Sequence, residues 1–372
     1  PGNNVVMAVQ PGTQEQTSQV VFTNVGKPGV KGRVSLDNTG SESTGVNGAS
    51  VTLQAGDLLS LNDVWSVYAR QSIGPKEKSS NGFSLDVKVP HGYNTYGFGY
   101  SKGGFDTLLT FPLSGAQLPS NGANESVMIS ANRVIHRDQD SKHTVGLKLK
   151  RDSIESYIAN TRIDVSSRTL DALVLSSDSV LGFGQNVLTV TPEISMGLSE
   201  VDNLPTGVNT PLENPQSEYL RYKLSLDWSQ PFTLSQQSWR WKSKFVGQYA
   251  EVPLYASQQL IVGGASSVRG SHSVSITGDR GFYWQNTLSL DVKHQIADKA
   301  FKAEYSVGYD FGRVRSNRAL VSESRMEALV LGASFSAGGP WSLALTHAVP
   351  VSVKGVDGKG DKHTSAVLSL DF

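Results

Sequence analysis

Cysteine is missing from all 372 residues, which excludes a disulfide scaffold and every thiolate metal or redox site. That absence suits a compartment where free thiols are a liability. Net charge is missing too, since 33 basic side chains balance 33 acidic ones, and no basic stripe marks a nucleic-acid partner. Long apolar runs are also absent: none approaches the roughly 18 residues that a membrane-spanning helix requires. A protein that crosses a membrane with strands escapes that test. The chain opens at Pro1 with neither a methionine nor a signal-peptide pattern, and is expected to be a processed or truncated piece of something longer. At roughly 150 residues per domain its length fits two or three soluble domains, although barrels run longer as one unit.

What is present is alternation. From about residue 30 onward, apolar and polar side chains trade places with the period that puts successive residues on opposite faces of a sheet. Leu220, Tyr222, Leu224, Leu226 and Trp228 share one face, while Arg221, Lys223, Ser225 and Asp227 share the other. Trp239, Trp241, Phe245 and Tyr249 oppose Arg240, Lys242, Lys244 and Gln248 in the same way. In a soluble sandwich the apolar face is the core, whereas in an outer-membrane barrel it meets lipid and aromatics gather at strand ends as girdles. Trp228, Trp239, Trp241, Phe282, Trp284 and Phe311 stand near segment ends, and runs of about 10 to 14 residues are long enough to cross a bilayer at a tilt. The pattern predicts an all-β protein, an antiparallel transmembrane barrel.

Counting segments predicts sixteen strands, at 30–39, 47–56, 62–71, 82–89, 93–103, 122–136, 142–151, 166–177, 183–199, 218–230, 237–249, 280–294, 300–312, 325–336, 340–348 and 363–372. Short links at 90–92, 230–235, 295–299 and 338–340 read as periplasmic turns. Long polar links at 104–121, 200–217, 250–279, 313–324 and 349–362 read as extracellular loops, so both chain ends fall on the periplasmic side.

Sixteen strands enclose an aqueous lumen, and something must fill it or the membrane leaks. The link from Ala250 to Asp279 is well beyond the length at which structureless loops become uncommon and usually functional. It holds Gly263-Gly264-Ala265-Ser266-Ser267-Val268-Arg269-Gly270-Ser271, small residues around one guanidinium whose fork can grip a carboxylate bidentately. The partner should be an inward-facing acid. Asp310 fits, flanked by Gly308 and Gly312 that leave room for an incoming loop, but Asp37, Asp86, Asp227, Asp291 and Glu304 also face the lumen.

Val268-Arg269-Gly270, followed two strands later by Gly308-x-Asp310-x-Gly312, resembles the paired motifs of the superfamily that includes the outer-membrane barrel-assembly proteins and the two-partner secretion transporters. Leu36-Asp37-Asn38 with Gly40 and Thr44-Gly45 resembles the opening strand of the two-partner secretion (TpsB) branch, which exports haemolysins, adhesins and contact-dependent inhibition toxins. The same holds for Glu251-Val252-Pro253-Leu254-Tyr255 leading to Gly263-Gly264, and for Gly278-Asp279-Arg280-Gly281-Phe282-Tyr283-Trp284. The resemblance implies a 16-stranded barrel whose sixth extracellular loop folds into the lumen with its tip Arg269 bonded to Asp310. It also implies two periplasmic polypeptide-transport-associated (POTRA) domains and a plug helix upstream. Val5 to Gly12 resembles the last strand of such a domain, so residues 1–29 are expected to be its tail and linker, and 30–372 the barrel. Ser271 departs from the family, which often has an aromatic there. The final Leu368, Leu370 and Phe372 resemble the signal by which outer-membrane barrels are recognised for assembly.

The implied function is export of a large, unfolded partner protein from periplasm to cell surface. The implied setting is the bacterial outer membrane, with lipid, the barrel-assembly machinery and the exoprotein as partners, and the chain a monomer. Nothing here would hydrolyse a nucleotide: no G-x-x-x-x-G-K-[ST] loop occurs, and Gly182-Phe183-Gly184 is a strand end. The seven histidines, at 91, 136, 143, 272, 294, 347 and 363, never reach metal-ligand spacing or a Ser/His/Asp arrangement. Asp357-Gly358-Lys359-Gly360-Asp361 lacks the closing acid of a calcium loop. No enzyme activity, metal or cofactor is expected. A passive diffusion porin shares the alternation and lumen, and a surface adhesin would place ligand binding in the loops at 104–121 and 200–217.

Overall fold

The computed structural model describes all residues except 1–4, 15, 25–28, 112–114, 199–214, 272, 297–298, 319–322, 337 and 357–359. Sixteen antiparallel strands close into one barrel. In chain order they are β1 (Val30–Asp37), β2 (Asn47–Gly56), β3 (Val64–Ile73), β4 (Ser79–His91), β5 (Asn94–Thr110), β6 (Gln117–Arg137), β7 (Ser141–Ile158) and β8 (Arg168–Phe183). The second half is β9 (Asn186–Gly197), β10 (Leu220–Leu234), β11 (Gln237–Ala250), β12 (Arg280–Ile296), β13 (Lys299–Arg315), β14 (Ser324–Ser336), β15 (Trp341–Lys354) and β16 (His363–Asp371). Among the described residues the helical elements are two single 3₁₀ turns, Asp164–Ser166 and Ala256–Gln258. Ahead of the barrel lies a hairpin, Val5–Pro11 with Ser18–Asn24, in which Met7 pairs with Phe22 and Val9 with Val20, all on one exposed face.

The alternation sorts as expected. Leu220, Tyr222, Leu224, Trp241, Tyr249 and Trp284 are exposed on the outer face, where a bilayer would cover them. The Phe282 ring stands between Phe245, with centroids 5.5 Å apart, and Phe311, at 5.6 Å. No helix among the described residues is long and apolar enough to cross a membrane.

Several boundaries differ from the sequence reading. Residues 104–121, expected as a loop, are mostly strand, because β5 and β6 pair outward as far as Thr110 with Gln117. Gly122, inside this longer strand, is the seat of the Phe105 ring, which a β-carbon there would approach to 2.6 Å. The middle segments expected at 142–151 and 166–177 likewise run on to Ile158 and Phe183. β15 continues past the proline at 350 because a bulge between Glu327 and Ala328 shifts the register there and absorbs it. The loop expected at 200–217 falls largely outside the described residues, as do 297–298 in the turn at 295–299.

Closure joins β16 to β1, from Val367 with Asp37 to Asp371 with Arg33. Beyond the ladder, the Phe372 N–H donates to the Gly32 carbonyl (2.9 Å), and the Phe372 carbonyl accepts from the Gly32 N–H (2.8 Å). The Phe372 ring lies over Gly32, which has no side chain to displace it. Leu368, paired with Leu36 in this seam, is exposed on the outer face. On the periplasmic side, the turn between β2 and β3 is organised by Asp63, whose carboxylate accepts the N–H groups of Leu58, Leu59 and Leu61 and the Trp65 indole. Burial alone would raise that carboxyl, but the Leu59, Trp65 and Leu61 donors outweigh it and hold it below the ordinary value.

The largest buried apolar cluster lies against the inner wall. Val246, Val314, Met326 and Ala328 from β11, β13 and β14 enclose Leu260, Val262, Val268 and Ile276. These last four belong to the connection 251–279 between β11 and β12, the sixth extracellular loop, called L6 below.

Candidate functional site: the loop docked in the lumen

L6 is ordered by its own small sheet, Leu260–Val262 paired with Ile276–Gly278. Gly263 follows at φ 125°, where a β-carbon would come within 2.9 Å of the Ser275 Cα. The loop can therefore fold back tightly enough to enter the barrel. The Ser267 hydroxyl fastens this bend, accepting from the Gly263 N–H (2.8 Å) and donating to its carbonyl (3.0 Å).

At the tip, Arg269 reaches the wall. Its Nε donates to Asp310 Oδ2 and its Nη2 to Asp310 Oδ1, both at 2.7 Å, and its backbone N–H adds a third bond to Oδ2 at 3.0 Å. Nη2 also donates to the Thr287 hydroxyl (3.0 Å). Asp310 is fully buried, so this is a bidentate pair with the carboxylate withdrawn from water. Space for it comes from three glycines. A β-carbon at Gly308 would lie 2.9 Å from Arg269 Nη2, one at Gly312 would lie 2.6 Å from Val262, and one at Gly270 would lie 2.8 Å from the Ala328 β-carbon. Val268 is fully buried beside Arg269.

The structure thus brings together Val268, Arg269, Gly270, Gly308, Asp310 and Gly312. Among the other inward acids, Asp37 takes Arg70, and Asp291 lies 3.6 Å from Arg240. Ser271, which departs from the expected aromatic, is also buried, and its hydroxyl donates to Asp361 in the last extracellular loop.

Sequence reasoning missed the fastenings at the loop's base. Asp279 is fully buried: Oδ1 accepts from the Leu254 N–H (2.8 Å) and Gln259 Nε2 (2.9 Å), and Oδ2 from the Asn317 N–H (2.6 Å) and Ser316 hydroxyl (3.1 Å). Asn317 returns its amide to the carbonyls of Ala250 (2.8 Å) and Val252 (3.1 Å). Asp279 lies within a motif that the sequence singled out, but Asn317 carries no such mark. On the other flank Gln258 accepts from Arg221 (2.9 Å) and from the Tyr219 hydroxyl (3.1 Å) and donates to Asp152 (3.3 Å). The Arg168 guanidinium sits 3.7 Å from the centre of the Tyr255 ring. A lumen cavity beneath the tip, lined by Arg269, Thr287, Lys242, Lys244 and Asp227, holds about 460 Å³. Among the described residues no cluster of side chains has metal-binding composition.

A closed barrel of sixteen strands with an apolar outer band and a long loop folded into its lumen is the fold of an outer-membrane barrel protein. More particularly, the chain belongs to the haemolysin secretion/activation protein family ShlB/FhaC/HecB, whose profile matches residues 16–338. Among relatives, the outer membrane transporter CdiB of Dickeya dadantii is 28% identical over 294 residues, covering 78% of this chain and 51% of that protein. The hemolysin transporter protein ShlB of Serratia marcescens is 27% identical over 259 residues, 68% of this chain and 45% of that one. The chain spans about half the length of these relatives. The solved structure of CdiB from Escherichia coli shares the fold, with a TM-score of 0.88 and 22% identity over 99% of this chain and 67% of that one.

Proposed function

We infer that this chain is the barrel of a transporter that secretes a large unfolded exoprotein from the periplasm to the cell surface without nucleotide hydrolysis. The observation that carries this reading is the loop fastened inside the lumen by Arg269 and Asp310, a movable plug of a kind that a steadily open porin has no need of. Separating a buried pair leaves charges that need new partners or water, which makes such pairs good switches. Residues 268–271 with Gly308, Asp310 and Gly312 are read as the plug and its seat. Leu368, Leu370 and Phe372 are read as the signal for the barrel-assembly machinery, and residues 1–29 as the end of a POTRA domain and its linker. The protein works as a monomer surrounded by outer-membrane lipid, performs no catalysis, and takes its driving force from the passenger folding outside. The passenger is an exoprotein of the adhesin, haemolysin or growth-inhibition toxin class.

The test expresses the full-length gene with its neighbouring large reading frame in a secretion-deficient Gram-negative host. Appearance of that protein in the medium or at the surface only when the barrel is present supports the reading. Retention in the periplasm together with rapid uptake of small solutes supports a porin and overturns it.

A further inference from the structure

The tip of L6 is held from two directions. Asp310 grips it from the wall, and Asp361 grips it from the connection 355–362 between β15 and β16, the eighth extracellular loop. Among the described residues, Asp361 Oδ1 accepts three donors from L6: the Ser271 hydroxyl, the Ser273 hydroxyl (2.6 Å) and the Ser273 N–H (3.1 Å). Ser271 is at the centre of this contact. Its oxygen also accepts the N–H of Val274 (3.0 Å), so the chain turns on it directly after Gly270. It is 1% exposed, and no aromatic side chain at this position would place a hydroxyl where the serine Oγ stands.

We propose that Asp361 and Ser271 form a latch that ties the tip of L6 to the eighth extracellular loop, making Asp361 a positioning residue for the plug. The inference rests on reading L6 as the plug. The two fastenings differ in kind: Arg269 meets Asp310 as a charge pair, whereas the three L6 donors to Asp361 are neutral groups. They also differ in what they restrain. When the wall pair parts, a tip still bonded to Asp361 stays beside β15 and β16, within reach of Asp310, and the plug recloses quickly. When the latch is gone, the released tip has more conformations to search before it redocks. The latch therefore governs how long the lumen stays open, while the ion pair governs how often it opens.

The test is single-channel recording of the purified full-length protein in planar bilayers, with heat-modifiable gel mobility confirming a folded barrel. Asp361→Ala lengthens open events about tenfold, the effect of losing hydrogen bonds to a charged group. Ser271→Ala does the same, the double variant adds nothing further, and Asp361→Asn, which keeps an acceptor oxygen, is intermediate. Deletion of residues 255–275 in parallel recordings separates the two ideas. If that deletion enlarges the currents while Asp361→Ala leaves open times at the parent value, the latch is overturned and the plug stands. If Ser271→Ala and Asp361→Ala multiply each other's effect, they act separately and the latch is again overturned. If the deletion leaves the currents unchanged, the plug reading falls and takes the latch with it.

Discussion

Asp310→Ala removes a carboxylate that takes three N–H donors from Arg269 and leaves the guanidinium with Thr287 still in reach. Breaking a buried ion pair by deleting one partner costs about 3–5 kcal/mol. The Arg269 side chain keeps 21% exposure, so lumen water shares the stranded charge and reduces the loss to about 2–3 kcal/mol. At 1.36 kcal/mol per tenfold change, the undocked fraction of L6 rises about 30- to 150-fold. Trypsin reads this directly, because the variant keeps Arg269 and a released tip exposes the bond after it. Cleavage under native conditions follows the population of the open form when opening and closing are fast. Mass spectrometry of the fragments should show a cut between Arg269 and Gly270 accelerated by that factor in Asp310→Ala, with the barrel still folded. Cleavage in the variant at the parent's rate refutes the claim that this pair holds the tip.

Gly308→Ala places a methyl 2.9 Å from Arg269 Nη2 and 2.8 Å from the Asn286 carbonyl, so the guanidinium must shift and the same trypsin cut should speed up about tenfold, for a cost of about 1–3 kcal/mol from overpacking. Asp279→Asn sets an amide NH₂ against donors that now meet a carboxylate, at about 1–3 kcal/mol for each one stranded. Hydrogen exchange at Leu254 and Asn317 should accelerate at least tenfold while Arg269 stays protected, because the tip has its own fastenings. Deleting Phe372 removes the paired bonds to Gly32 and the ring that covers it, and should reduce the amount of folded barrel in the outer membrane, read by heat-modifiable mobility.

The barrel was legible because a two-residue period assigns every side chain a face, and the strands of β10 to β13 keep that period almost without interruption. Boundaries were lost where a residue that usually ends strands sits inside one. Gly122 serves the Phe105 ring, and the proline at 350 is absorbed by a bulge, facts about neighbouring strands that a local pattern cannot carry. Alternation placed Asp310 on the lumen face but could not choose it over Asp227 or Glu304, and the pairing with Arg269 came from the order of motifs. The remaining fastenings were beyond reach because they join residues far apart in the chain. Ser271 and Asp361 are separated by 90 positions, and Asp152 and Gln258 by 106, with nothing in either sequence context to connect them. Ser271 was legible only as a departure from the aromatic common in the family. The structure shows that the small polar residue has a bonding role of its own.

The claim that L6 is a plug, on which the proposed export rests, is tested most directly by conductance. The purified full-length protein and its 255–275 deletion are recorded side by side in planar bilayers. The parent should show small, fluctuating openings, and the deletion a larger current from the lumen freed of L6. Equal currents from the two proteins would contradict the account.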